Sequence, residues 1–138
     1  AASDVYKRQA AGSFVLPEHL DTPLTFEGTR AINASLGSGV VMAFDEDVDM
    51  RGIVLRIAAF FRDESCGQCV PCRVGTVRQE ELLQRLARDD AQASAEAELL
   101  DELAQVMRDA SICGLGHTAA NAVQSAVALG LFGGPADE

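Results

Sequence analysis

The strongest constraint on this chain is a run of three cysteines, Cys66, Cys69 and Cys72, in ESCGQCVPCRVG (64–75), with one further cysteine, Cys113, in SICGLG. Three thiolates at i, i+3 and i+6 on a loop with Gly and Pro can wrap three corners of an iron–sulfur cubane. Bacterial ferredoxins use that local spacing, and their next cysteine in sequence need not serve the same cluster. The fourth corner then falls to Cys113, separated from Cys72 by forty residues. Those forty residues read as two helices and a turn. A helical hairpin returns the chain close to where it left, so Cys113 can stand opposite the loop. Zinc is the alternative, since four thiolates make a tetrahedral zinc site, although such sites usually come as two separated C-x2-C pairs. A plain helical bundle with its cysteines buried as small apolar residues is a third reading. Two disulfides would need an oxidising compartment, and no basic start followed by an apolar run marks this sequence for export.

Composition narrows the surroundings of those thiols. The chain has 138 residues, enough for one modest core. It has no Trp and one Tyr, so the core must be built from Leu, Val, Ala and Ile, which favours helices. The formal charge of −10 argues against nucleic acid, whose phosphates seek a basic stripe. No apolar stretch is long enough to insert in a membrane, and the expected location is cytoplasmic, or peripheral to a membrane through a larger complex. Acids dominate DEDVD (45–49) and residues 89–109, whereas Arg73, Arg78, Arg85 and Arg88 follow the thiol run. Such patterning is ordinarily a solvated helix face; the sharper reading is that the arginines offset negative charge at the cysteines. Gly67, Gly75, Gly114 and Gly116 could bring backbone N–H groups towards bridging sulfides. His117 fits a loop or capping role, and His19 is isolated. Neither a dinucleotide-binding G-x-G-x-x-G nor a P-loop occurs, and no spacing marks a catalytic triad, so no catalytic residue is assigned.

Along the chain, residues 1–12 have no periodicity and are expected to be an unstructured tail, foreign to the rest. Residues 16–26 contain two prolines and read as extended, and 27–37 hold one short helix. A β-branched and aromatic run predicts a strand over 40–44, paired with something in 13–26 or with a sheet lying outside the sequence. From residue 48 the pattern turns helical. A helix over about 49–63, begun by Asp47 or Asp49, carries Ile53, Ile57, Phe60 and Phe61 inward. The second runs from Pro71 to about residue 88, with Val74, Leu82, Leu83 and Leu86 inward. The third starts near Ser94, with Leu99, Leu100, Leu103, Val106 and Met107 inward, and the fourth spans about 118–129, with Ala119, Val123, Ala126 and Val127 inward. The predicted fold is therefore mainly α, a small four-helix bundle over 48–132 followed by a tail at 133–138.

ESCGQCVPCRVGT followed by SICGLGHTAANAV resembles the C-terminal iron–sulfur region of the NADH-binding flavoprotein subunit of respiratory complex I. The same region occurs in the diaphorase-type subunits of NAD-dependent formate dehydrogenases and NAD-reducing hydrogenases. LDTPLTF and GSGVVMAFDED look like the segment just upstream, so the resemblance covers roughly residues 14–132. It implies that Cys66, Cys69, Cys72 and Cys113 ligate one [4Fe-4S] cluster in a helical domain, and that 13–47 are the end of a ubiquitin-like β-grasp domain. FMN and NAD(H) would belong only to the complete parent subunit. A fragment of this kind would relay single electrons between FMN and iron–sulfur centres of a partner subunit, without being a complete enzyme. Val70 and Ala122 depart from the usual motif, which has a small polar residue and a proline there. Under the zinc alternative the chain is a structural or interaction module with no redox role.

Overall fold

A computed structural model describes residues 7–10, 12–36, 41–45, 47–88 and 93–131. The chain is mainly helical and divides into two compact units, Ala1–Asp49 and Met50–Glu138, two residues beyond the expected boundary. The expected C-terminal tail over 133–138 and most of the turn at 89–94 lie outside the described residues.

In the first unit, β1 (Lys7–Ala10), β2 (Ser13–Val15) and β3 (Val41–Phe44) form an antiparallel sheet in the order β2-β1-β3. Arg8 pairs with Val15 on one side and with Ala43 on the other. This corrects two expectations. Residues 7–10 are the central strand and not an unstructured tail, and the partner of the 40–44 strand is β1 and not a segment of 13–26. The run KRQA lacks the β-branched and aromatic residues by which strands are read; its flanking strands and the tight turn through Gly12 determine its conformation. Within the proline-bearing stretch a single 3-10 turn forms at Pro17–His19. The short helix α1 (Phe26–Ala31) follows, where Thr25 caps it by accepting the Gly28 N–H on Oγ1 at 3.0 Å. Phe14 and Thr29 are buried, and the Ser13 hydroxyl accepts the Ser35 N–H at 2.9 Å.

The second unit holds α2 (Met50–Asp63), α3 (Val70–Leu86), α4 (Ala93–Ala110), α5 (Gly114–Thr118) and α6 (Asn121–Ala128). Helix α2 buries Met50, Val54 and Ala58 at i, i+4 and i+8. It is turned from the expected face: Phe60 lies about 120° round the helix from Val54 and is 56% exposed. Small Val54 and Ala58 let α3 and α6 pack closely, which a phenylalanine at that seam would prevent. On α3 the buried row is Cys72, Gly75, Thr76, Gln79, Leu82, Leu83 and Leu86, one continuous 3.6-residue stripe. Val74, expected inward, falls off that stripe and is 44% exposed. Helix α4 buries Leu100, Ala104 and Met107, leaving Leu99 and Val106 outward.

The expected fourth helix is two helices. Its first part starts at Gly114, four residues early, and the chain bends at Ala119–Ala120 before α6. Gln79, wholly buried on α3, donates from Nε2 to the Ala119 carbonyl at 3.2 Å and so holds the bend. Ion pairs join the helices outside the core: Arg62 on α2 meets Glu80 on α3, and Arg85 on α3 grips Glu96 on α4 with two 3.0 Å bonds.

Candidate metal centre

The thiol loop sits between α2 and α3. After Asp63 the chain turns through Ser65 and reaches Gly67, whose φ of +74° lies in the left-handed region where a Cβ is strained. Arg73 reaches back from the first turn of α3 and donates from its guanidinium to the Gly67 carbonyl at 2.9 Å. The cation is thus a clamp on the loop. Arg78 and Arg85 pair with Glu81 and Glu96, so of these three arginines only Arg73 serves the thiol run. Cys69 is the N-cap of α3, with extended backbone and no capping bond from its sulfur, and Pro71 occupies the first helical turn as expected. Cys72 is the first member of the buried stripe of α3 and is 5% exposed.

Cys113 arrives from the other side. It is the residue before α5, held extended at φ −137°, ψ 170°. The loop between α4 and α5 is shaped by His117, whose Nε2 bonds the Ser111 carbonyl at 2.7 Å; the ring is committed to this turn, as expected from sequence. Gly116 faces Cys72 directly. A Cβ there would stand 3.1 Å from the Cys72 Cβ and 2.5 Å from the Ser111 Cβ, so only glycine lets α5 approach α3 this closely. Gly75, by contrast, is buried against Met107 and serves the contact of α3 with α4, not the thiols.

All four cysteines are free, and Cys66, Cys69, Cys72 and Cys113 line one solvent-open recess of about 350 Å³ with Glu64, Ser65, Gln68 and Leu115. Cys66 and Cys113 are exposed, Cys69 is half-buried and Cys72 is buried. The backbone N–H of Ile112 is the main group holding the Cys69 thiol below its ordinary pKa. The Cys72 amide, the Ser111 hydroxyl and Cys69's own amide act in the same sense, and burial opposes them. Cys113 and the three-thiol loop thus line the same recess. Among the described residues no three His, Cys, Asp or Glu side chains converge tightly enough to hold a single metal ion. Four free thiols lining one recess are a donor set that fits an iron–sulfur cluster.

Two residues of this site escape a reading for cysteines alone. Ser65 Oγ lies 3.3 Å from Cys72 Sγ and accepts the Gly67 N–H at 3.4 Å. Ser111 is 8% exposed, and its Oγ is buried with no hydrogen-bond partner, although it stands near enough to Cys69 to favour the thiolate. The signal is present in ESC and SIC, where a hydroxyl precedes a cysteine by one and by two residues.

Residues 52–129 match the family model of the NADH-ubiquinone oxidoreductase-F iron–sulfur binding region. The chain is 32% identical over 115 residues to the NADP-reducing hydrogenase subunit HndC of Solidesulfovibrio fructosivorans, covering 83% of this chain and 23% of that protein. It is 36% identical over 110 residues to the F subunit of the NADH-quinone oxidoreductase of Streptomyces coelicolor, covering 80% and 24%. Among solved structures, an NAD+-reducing nickel–iron hydrogenase in the H2-reduced state superposes with a TM-score of 0.74 at 34% identity, over 96% of this chain and 24% of that one. The chain thus spans about a quarter of the length of the relatives it matches.

Proposed function

Because the chain belongs to the family of the NADH-ubiquinone oxidoreductase-F iron–sulfur binding region, we propose that Cys66, Cys69, Cys72 and Cys113 are the four ligands of one [4Fe-4S] cluster. The observation that carries this reading is that thiols from two segments forty residues apart line a single recess. When bound, the cluster supplies reversible one-electron transfer. The protein's own residues do the rest. Gly67 and the Arg73 clamp set the curvature of the three-thiol loop. The stripe from Cys72 to Leu86 roots that loop in the core, and the fit of Gly116 against Cys72 brings Cys113 to the fourth position. Nothing in the site is asked to act as an acid or base.

On this reading the second unit is a cluster-holding helical bundle in which α5 and α6 stand where one fourth helix was expected, and the sheet of the first unit is the end of a β-grasp domain. The module would serve an NADH:quinone oxidoreductase, a hydrogenase or a formate dehydrogenase, between FMN and the iron–sulfur centres of a partner subunit. Among the described residues no helix is long and apolar enough to cross a membrane, in keeping with a part carried by a larger assembly.

Anaerobic reconstitution tests the proposal. The chain should bind about four irons and four sulfides and show a broad visible absorption that bleaches with dithionite. Uptake of one zinc without sulfide would replace it with the structural-module reading.

A further inference from the structure

We propose that the hydroxyls of Ser65 and Ser111 are hydrogen-bond donors to the thiolate ligands, one from each side of the recess, and that they position the cluster's reduction potential. The inference rests on the cluster reading above. For Ser65 the direction of the bond follows from its partners. Its Oγ accepts the Gly67 N–H, leaving the hydroxyl proton to be placed, and Cys72 Sγ lies 3.3 Å away. A ligating thiolate has no proton, so only the serine can donate. For Ser111 the ground is burial. Its Oγ is enclosed and unpartnered, a costly condition for a hydroxyl, and Gly116 packs against it. The acceptors that loading of the site would leave short of protons are the thiolates of the recess, beside the turn that carries Ser111 two residues before Cys113. Loading thus gives the orphaned hydroxyl its partner.

The sign of the effect is fixed by charge. A donor on a thiolate withdraws negative charge, and the reduced cluster carries one more negative charge than the oxidised one. The bond is therefore stronger in the reduced state and raises the potential. Ser65 and Ser111 are positioning residues in this sense: they act through the thiolate ligands, Ser65 through Cys72, and carry no electron themselves.

The test is potentiometric titration, followed by EPR, of the reconstituted 138-residue chain and its S65A, S111A and S65T variants. Each alanine variant should keep its full iron and sulfide and shift its midpoint negative. The expected shift is about tenfold in the oxidised-to-reduced ratio at fixed ambient potential, or about 59 mV for a one-electron couple. S65T, which keeps the hydroxyl, should titrate like the unaltered chain. Pulsed EPR after exchange into D2O should show a deuteron coupling that is lost in S111A. Loaded alanine variants with unchanged midpoints would overturn the inference, and so would loss of iron from S65A and S65T alike, which would mark a purely structural role. Failure of the underlying cluster reading is distinct, because it appears as absent iron and sulfide in the unaltered chain.

Discussion

At the scale of single residues, the four thiols are not equivalent in where they sit but should be equivalent in what their loss does. Cys72 is buried in α3, whereas Cys113 is exposed and reaches the recess only through folding. We expect Cys113→Ser to lower iron content after reconstitution as severely as Cys69→Ser; near-normal iron in Cys113→Ser would remove the fourth ligand from the proposal. Gly116 makes a sharper case because it touches no metal. Gly116→Ala forces a methyl to 2.5 Å from the Ser111 Cβ and 3.1 Å from the Cys72 Cβ, and α5 must move away. Overpacking of this kind typically costs about 1–3 kcal/mol. The urea midpoint should fall accordingly, with weaker cluster retention against a chelator. The proposed ligand set could be read from sequence because thiols at that spacing have few other uses, and all four line one recess. The serines were not, since a hydroxyl beside a cysteine is ordinary in a loop and acquires meaning only when its burial is known.

At the scale of elements, sequence periodicity located the helices better than it oriented them. Helices α2, α3 and α4 start within one residue of expectation because Pro71 and the acid-rich turns punctuate the pattern. Their inward faces were misjudged wherever size outweighed hydrophobicity. Phe60 and Val74 were expected inside, yet Ala58 and Gly75 are, since closely packed helices need small residues at the seam. Thr76 and Gln79 were invisible to a search for apolar stripes. Both satisfy their donors on backbone carbonyls, Thr76 on Cys72 and Gln79 on Ala119. Leu83 is the test of the α3 stripe as the root of the loop. It is wholly buried, so Leu83→Ala should destabilise the helical unit by about 2–5 kcal/mol, read from denaturant unfolding. A change within about 0.5 kcal/mol, the range of ordinary surface substitutions, would show that α3 is not anchored there.

At the scale of the whole molecule, the chain covers about a quarter of its relatives and contains neither a dinucleotide-binding glycine motif nor a P-loop. The loaded chain should therefore stay oxidised under NADH alone and bleach on dithionite, as followed by visible absorption under argon. Bleaching by NADH without an added flavoprotein would show a hydride-accepting site that the motifs do not reveal. The spacing of the sulfurs also bears on how the protein is made: three lie within seven consecutive residues, and forty residues separate them from the fourth. During synthesis the ribosome releases the first three together, while the last is still in the exit tunnel or untranslated. Until the α3–α4 hairpin has closed, an early-captured inorganic core would have one iron capped only by water or a small thiol. On the cluster reading the ligand set is complete only once the hairpin has closed, with Cys66 and Cys113 as the exposed thiols of the recess.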